Sequence, residues 1–243
     1  MKFNVLNTIK NNYSRYGLRG VWNLFKSRLV HVKRKPIASF SNYVELFKEK
    51  RGLELGGPSP IFNIEIPIYP LVDDLHGCNF GSQTVWEGKI SAGNTYKYFG
   101  NKQSVQYIGE AADLKDFKDE SYDFVVSSHC LEHCANVLKA VEEWVRVLKK
   151  NGALLLVLPD KRYTFDQYRP ITSFEHLLED YNKGIEENDM THLPEILKLH
   201  DLSRDIPAGS SEEFRIRSLQ NLHNRCLHHH VFNMDLLKKI IEH

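Results

Sequence analysis

The feature that most constrains the fold is a strand–helix–strand pattern over residues 122–160. Two apolar runs, 124–126 and 154–158, flank a segment whose apolar residues recur every three or four positions, as in an amphipathic helix. Asn151 and Gly152 predict the end of that helix. Neither run alternates with polar residues, so both strands should be covered on both faces, as in a parallel sheet. The pattern therefore predicts a right-handed βαβ unit.

In parallel sheets of this kind, ligands bind beyond the carboxyl ends of the strands. Ser127, Ser128 and His129 follow the first of the two runs, and Pro159 and Asp160 follow the second. We therefore expect a binding cleft at this edge of the sheet.

Two earlier segments extend the same arrangement. A short strand within residues 51–55 ends in Gly56 and Gly57, which predicts a tight turn that a ligand can approach closely. The dinucleotide fingerprint G-x-G-x-x-G is absent, which disfavours NAD. Asp73 and Asp74 follow an apolar pair, and an acid at the end of a second strand holds ribose hydroxyls in nucleotide-binding folds. A third strand is predicted at 106–109, after a loop over 76–104.

Composition is that of a globular protein with one large domain and an embellishment. The 243 residues carry a formal net charge of +1, but residues 1–36 hold nine basic residues and no acidic one, which leaves 23 basic and 31 acidic residues elsewhere, a net −8. An amphipathic stripe over 18–29 predicts a helix that packs on its own domain or rests on an anionic membrane surface. Nucleic acid is the least favoured partner.

Cellular location is inferred from what the sequence lacks. It has no apolar run long enough to span a bilayer and no apolar segment of a signal peptide at its start. The four cysteines do not have the pattern of a disulfide framework. We expect a cytoplasmic protein.

The segment 161–230 is too long and polar for an ordinary connection, so it predicts a lid or insertion. Helices are predicted at 41–50, 174–181, 212–222 and 234–241, the last with Asn233 as its N-cap. The predicted organisation is a basic helical segment (1–50), an α/β core (51–160), the lid (161–230) and a C-terminal core helix (231–243).

Taken in order, these segments resemble the class I S-adenosylmethionine-dependent methyltransferases, specifically the type 11 group. The resemblance covers roughly residues 50–160, and its most specific part is Y-D-F-V-V-S-S-H-C-L-E-H at 122–133. It implies a doubly wound, mostly parallel sheet, an enzyme, and S-adenosylmethionine as the cofactor. P-D-K-R-Y-T-F-D after the fifth strand and the later T-x-x-E-H resemble members associated with bacterial polysaccharide biosynthesis.

The resemblance also implies a cofactor site built from residues that follow successive strands: Glu54, Gly56, Gly57, Asp73 or Asp74, Glu110, Ala111, Asp113, Ser127, Ser128 and His129. The first three would wrap the methionine end. Of the two aspartates, Asp73 is preferred on spacing as the ribose ligand. Glu110, Ala111 and Asp113 would frame the adenine, and the last three residues would line the floor beneath the methyl group.

Two departures from the family pattern stand out. Pro58 occupies a position where many members have another glycine. The family sheet normally closes with an antiparallel hairpin after the last helix, and the sequence leaves no residues for it. Either the sheet is short, the lid supplies its edge, or the chain is incomplete.

Methyl transfer to a hydroxyl requires a base that removes the proton. The candidate bases are His129, His133, His176 and His230. The His-x₃-His and Cys-x₃-Cys pairs within 129–134 point about 100° apart on a helix, so one ion could not use all four. A composite zinc site with residues 228–230 is the minor alternative, and the prediction is that there is no metal site.

The predicted reaction is O-methylation of a sugar or glycan hydroxyl. The alternatives are methylation of a small aromatic, quinone or natural-product acceptor, and a non-catalytic partner subunit that binds the cofactor. The expected partners are the acceptor and, through residues 1–36, the inner face of a membrane.

Overall fold

The computed structural model describes residues 34–243. The predicted amphipathic helix over residues 18–29 lies outside the described residues, so its docking stays a prediction. In the described part of the chain, every helix is too short or too polar to cross a lipid bilayer.

The core is a six-stranded sheet with one small hairpin beside it. The strands are β1 (Arg51–Leu55), β2 (Asp74–Asn79), β3 (Gln83–Thr84), β4 (Gly88–Lys89), β5 (Gly93–Phe99), β6 (Lys102–Ile108), β7 (Tyr122–Ser128) and β8 (Leu148–Val157). The main sheet has the order β5-β6-β2-β1-β7-β8. All neighbours are parallel except β5 and β6, and β3 pairs only with β4.

Seven α-helices and four 3₁₀ helices surround the sheet. The α-helices are α1 (Ile61–Ile64), α2 (Val137–Val147), α3 (Phe174–Lys183), α4 (Leu193–Leu199), α5 (Ser211–Leu219), α6 (Asn221–Asn224) and α7 (Met234–Glu242). The 3₁₀ helices are Ala38–Leu46, Leu131–His133, Lys161–Tyr163 and Ile206–Ala208. These counts refer to residues 34–243.

Both faces of the sheet are covered, because successive side chains of a strand point to opposite faces. On β7, Val125 packs into one core cluster with Trp144 of α2 and Leu236 of α7. Its neighbour Phe124 packs into the other cluster, with Phe62 of α1 and the first 3₁₀ helix. The predicted doubly wound, mostly parallel fold is confirmed.

The strand–helix–strand unit is β7, α2 and β8, but the predicted helix end was wrong. α2 ends at Val147, and Leu148 already begins β8. Asn151 adopts a left-handed conformation with φ of 64° where the β7–β8 pairing shifts register between Tyr122 and Phe124. The Asn-Gly pair therefore shapes a bulge in the strand instead of a helix terminus.

The loop predicted at 76–104 was also wrong. Most of it forms β2, β3, β4 and the antiparallel strand β5. In β5, Tyr96 and Tyr98 are buried and Lys97 is exposed, so the aromatic residues cover the sheet. The strand was missed because its first half, Gly93 to Thr95, is polar and exposed.

The other helix predictions differ mainly at their ends. Helices α3, α5 with α6, and α7 lie where they were predicted, and Asn233 caps α7 by accepting a hydrogen bond from Leu236 N. The predicted helix at 41–50 is a 3₁₀ helix that ends at Leu46, and α4 was not predicted. Within the described residues no strand pairs with the outer edge of β8.

Candidate active site

A cleft of about 1250 Å³ lies at the carboxyl ends of the central strands. Residues at the carboxyl ends of four strands line it. They are Gly56 after β1, Asn79 at the end of β2, Gly109 after β6 and Ser128 at the end of β7. Side chains from residues 163–228 form the facing wall. The cleft thus lies where a parallel sheet is expected to bind ligands.

The turn after β1 requires glycine at its first position. Gly56 has φ of +78° and donates its N–H to Cys78 O at 3.0 Å. A side chain there would place its Cβ 3.1 Å from Cys130 Cβ. Glycine therefore keeps this part of the cleft floor open.

Glu54 supports the turn from beneath and does not line the cleft. It is fully buried and accepts hydrogen bonds from Tyr96 Oη (2.6 Å), Tyr69 Oη (2.8 Å) and Ser59 N (2.9 Å). Burial raises the pKa of Glu54 to about 7, although the three donors oppose that rise. Gly57 is packed so closely that a Cβ would lie 2.2 Å from the Glu54 carboxyl carbon. The structure thus places Glu54 and Gly57 behind the turn at Gly56, and neither of them lines the cleft.

The placement of Asp73 and Asp74 as ribose ligands was wrong. Asp74 is the first residue of β2 and pairs in register with Arg51 at the start of β1, 3.5 Å from the Arg51 side chain. Parallel strands put their starts at the same edge of the sheet, so both aspartates lie at the edge opposite the cleft. The apolar pair before them belongs to the turn that enters the strand.

Asn79 occupies the end of β2 that the aspartates were expected to hold. It is 6% exposed and lines the cleft, and its Nδ2 donates to Gly57 O at 2.9 Å. The sequence of β2, D-L-H-G-C-N, lacks the β-branched residues and alternation typical of strands. Counting from Gly56 in parallel register would have indicated Asn79.

Of the three site residues predicted in the turn after β6, two line the cleft and one does not. Glu110 and Ala111 line the cleft, and the Glu110 carboxylate forms an ion pair with Arg225 from the facing wall. Ala111 O is held by Trp144 Nε1 of α2 at 2.8 Å. Asp113 is exposed, 3.1 Å from Lys115 Nζ, and it is not among the lining residues, so its predicted role at the adenine was wrong.

The end of β7 places Ser128 and His129 at the cleft and Ser127 behind it. Ser127 is buried and donates to Leu55 O at 3.4 Å. His129 N donates to Val157 O at 2.9 Å, which ties the ends of β7 and β8 together. His129 adopts φ of +53°, a left-handed conformation that is uncommon for a residue other than glycine. Its side chain is 57% exposed.

A buried carboxylate lies next to this histidine. Glu132 is fully buried, with Oε1 3.3 Å from His129 Nδ1. Burial acts to raise the pKa of Glu132, but His129, His133 and His228 more than offset it and hold the pKa below its usual range. The contact with Glu132 in turn raises the pKa of His129, against the opposing effect of burial. This Glu–His pair was not predicted.

His133 also lines the cleft, but it is part of the wall. Its Nδ1 lies 2.9 Å from Leu227 O, and its ring packs against Trp86 and His228 with centroids 5.3 and 4.6 Å away. Burial is the main cause that lowers the pKa of His133 to about 4. It is therefore neutral, but less accessible than His129.

Contrary to what their prediction as candidate bases requires, His176 and His230 do not line the cleft. His230 is fully buried, with Nε2 3.0 Å from Ala135 O. His176 lies on α3, with its ring beside those of His192 and His230. The segment 228–230 runs along the cleft wall, and of its three histidines only His228 lines the cleft.

The facing wall contributes charged groups that were not predicted as site residues. They come from the segment between α4 and α7 and are Arg204, Asp205, Glu213, Arg217 and Arg225. Trp86, from the loop between β3 and β4, adds an aromatic ring that is 55% exposed. Residues this far apart in sequence give no local pattern that would bring them together.

Known proteins resemble parts of this chain. Residues 82–156 match a family model described as "Methyltransferase domain". A methyltransferase of Bacillus subtilis (strain 168), YcgJ, which is described as uncharacterized, is 22% identical over 134 residues, or 55% of this chain and 50% of that protein. The region matched by the family model includes Glu110, Ser128 and His129 but not the glycine turn.

Two solved structures are also similar. The YcgJ structure is 18% identical, covers 84% of this chain and 82% of that one, and has a TM-score of 0.38. The BH2331 protein of Bacillus halodurans C-125, provisionally assigned as a methyltransferase, is 16% identical. The match covers 84% of this chain and 66% of that one, with a TM-score of 0.43. The fold assignment rests on the chain's own strand order.

The match over residues 82–156 agrees with the methyltransferase domain that the sequence predicted. The sequence match spans half the length of the curated relative.

Proposed function

We propose that the protein is an S-adenosylmethionine-dependent methyltransferase that methylates a hydroxyl group, with His129 as the general base. The observation that carries this proposal is the meeting of the glycine turn, the Glu110–Ala111 turn and Ser128–His129 at one cleft. A ligand in that cleft would contact the ends of four strands at once.

The residues present fit the cofactor. The open floor at Gly56, where a Cβ would lie 3.1 Å from Cys130, leaves room for close approach of a ligand. Asn79 takes the place of the expected acid, because its amide oxygen can accept a hydrogen bond from a ribose hydroxyl. The cleft volume of about 1250 Å³ exceeds the 300–1,000 Å³ or so of an ordinary ligand pocket, which leaves space for an acceptor as well.

Bound S-adenosylmethionine supplies a methyl group on a positively charged sulfur. His129 would accept the acceptor's hydroxyl proton at Nε2, because its Nδ1 faces the Glu132 carboxylate and carries the other proton. Glu132 keeps the imidazole oriented and stabilises the imidazolium that forms. General base catalysis of this kind contributes about 10² to 10⁴ in rate.

We propose a sugar or glycan hydroxyl as the acceptor. The support is the charged wall, where Arg204, Asp205 and Arg217 offer donors and acceptors for a polyhydroxylated molecule. The exposed Trp86 ring at the cleft favours either a sugar face or a small aromatic acceptor. Association with polysaccharide biosynthesis rests on the sequence resemblance.

Two measurements on the full chain test the proposal. Calorimetry should detect binding of S-adenosylmethionine, and incubation with hydroxylated acceptors should produce S-adenosylhomocysteine. His129→Asn should keep cofactor binding and lose about 10²-fold or more in turnover. His223→Ala, an exposed histidine on α6, is the matched control and should retain both.

The outcomes distinguish the alternatives. Binding without turnover on sugar, aromatic and quinone acceptors would favour a non-catalytic partner subunit. Turnover on aromatic acceptors alone would replace the glycan assignment, and absence of cofactor binding would contradict the proposal as a whole.

We also propose that residues 1–36 hold the enzyme at the inner face of a membrane, because this segment has nine basic residues and no acidic one. Co-sedimentation with anionic vesicles should decrease when residues 1–36 are removed. Equal sedimentation of the two forms would contradict this docking.

A further inference from the structure

A second group of ionisable side chains lies behind the cleft wall. It consists of His176 and Asp180 on α3, His192 next to the start of α4, and His230 in the segment before α7; we call it the His176 cluster. One ligand atom from each residue lies within 4.8 Å of all the others. His176 and Asp180 are four residues apart on one helix and therefore share a face.

The distances within the cluster are short. His176 Nε2 lies 2.7 Å from His192 Nε2 and 3.3 Å from Asp180 Oδ2. His230 Nε2 lies 3.8 Å from the same carboxylate oxygen. Ligands roughly 2.0–2.2 Å from a tetrahedral ion are about 3.3–3.6 Å apart, so small movements of these side chains would produce that geometry.

The cluster also holds a polar atom that the protein leaves unpaired. Asp180 Oδ2 is buried and has no hydrogen-bond partner among residues 34–243. Asp180 is 4% exposed. Buried polar groups normally find a partner, and an unpaired one costs free energy. A cation beside the Asp180 carboxylate would remove that cost.

We propose that the His176 cluster is a binding site for a divalent transition metal ion, with Zn²⁺ as the best fit. Three imidazoles and one carboxylate are ligands that zinc takes with tetrahedral geometry. The four residues are spread over 55 positions of the sequence, so no local pattern predicts this site, and only the fold brings them together.

A second carboxylate supports this assignment. Asp189 Oδ2 lies 3.4 Å from His192 Nδ1, the ring nitrogen of His192 that does not face His176. His230 Nε2 lies 3.0 Å from the Ala135 carbonyl, so this nitrogen would exchange that contact for the ion. Metal-bound histidines commonly give their second ring nitrogen to a carboxylate or a backbone carbonyl. The His176 side chain is 39% exposed, which gives an ion a path from solvent.

The bound ion would have a structural role and would take no part in methyl transfer. The ion would join α3 to the start of α4 and to the segment 228–230. That segment also donates His229 N to Glu132 O at 2.8 Å. Metal binding would therefore fix the wall that carries His228 and faces Glu132.

Metal content of the full chain, expressed without a histidine tag, tests the proposal. After dialysis we expect about one Zn²⁺ per chain. Substitution of the metal by Co²⁺ should give the intense visible absorption of a tetrahedral site. His192→Ala and Asp180→Asn should lose this ion, and Asp189→Asn should weaken its binding by about 10- to 100-fold. His223→Ala is the matched control and should bind like the unaltered protein.

Two results would overturn the proposal. One is an unaltered protein that binds neither Zn²⁺ nor Co²⁺. The other is binding that persists in His192→Ala and Asp180→Asn, which would place the ion elsewhere, for example at Glu132, His133 and His228. Circular dichroism verifies that each variant is folded. If a variant does not fold, the Co²⁺ spectrum of the unaltered protein still shows whether the ion is bound with tetrahedral geometry.

Discussion

His129 is the residue on which the proposed chemistry depends. The resemblance indicated its position after β7, but its environment comes from Glu132, three residues later and fully buried. The 3₁₀ helix Leu131–His133 turns the chain so that this carboxylate comes within 3.3 Å of His129 Nδ1. A local turn thus converts an exposed histidine into a candidate base with a raised pKa.

This pairing predicts a change in pH dependence. The base must be neutral to accept a proton, so activity should rise with pH as His129 loses its proton, at a pH above the ordinary histidine pKa. Glu132→Gln removes the negative charge that raises the pKa of His129, so the acidic limb of the kcat profile should move to lower pH. Steady-state kinetics over pH 5–9 measure this shift.

The charged and titratable groups that face Glu132 are His129, His133 and His228, and His228 Nδ1 is in turn 2.5 Å from Asp166. His223→Ala, at an exposed position on α6, should leave the profile unchanged. An acidic limb that stays in place in Glu132→Gln would show that Glu132 does not position His129.

At the scale of elements, glycine makes β2 and β5 compatible with the buried Glu54. Gly77 of β2 lies beneath the Tyr96 ring, and a Cβ there would come within 2.3 Å of ring carbons. This close approach lets Tyr96 Oη reach Glu54 at 2.6 Å. The antiparallel strand β5 therefore helps to hold Glu54 beneath the turn at Gly56 and Gly57.

Gly77→Ala should destabilise the protein by about 1–3 kcal/mol, because the added methyl group overpacks a buried contact. Chemical denaturation of the variant and the unaltered protein measures this difference. Gly81→Ala is the control, since its Cβ would meet nothing closer than 3.6 Å. Equal stabilities of the two variants would mean that Tyr96 can move aside without loss.

At the scale of the whole molecule, Arg169 connects the insertion to the segment 228–230. It is 2% exposed and donates to Asp166 Oδ1, Glu195 Oε1, His228 O and His229 O at 2.7–3.0 Å. These contacts join the start of the insertion, α4 and the cleft wall. A buried guanidinium with five donors can satisfy this number of acceptors, and no other side chain can.

Arg169→Met should cost about 3–5 kcal/mol of unfolding free energy, because it leaves buried carboxylates and carbonyls without their partner. Arg162→Met is the matched control: Arg162 pairs with Asp160 on the surface and is 75% exposed, so its loss should leave the stability nearly unchanged. Thermal and urea unfolding measure both. A similar small cost for the two variants would show that water replaces the contacts of Arg169.

The parts of the fold that the sequence predicted are those whose apolar pattern lies within one short stretch of the chain. The unit β7–α2–β8 was predictable because apolar residues repeat at strand and helix spacing within 40 residues or so. β2 and β5 were missed because their polar or small residues, such as His76 and Gly77, do not have the composition of a strand. Hydrogen bonding to neighbouring strands, and not intrinsic β-propensity, makes these two segments strands.

The sequence by itself determined a doubly wound parallel sheet, a cleft at its strand ends and the positions of Gly56, Ser128 and His129, because each follows directly from a strand that the apolar pattern marks. Only the tertiary structure decided that Asn79 and not Asp73 reaches the cleft, since strand register sets which residue ends β2. It also decided that Glu132 pairs with His129 and that His176, Asp180, His192 and His230 meet. Contacts between distant segments depend on packing, which no local pattern encodes.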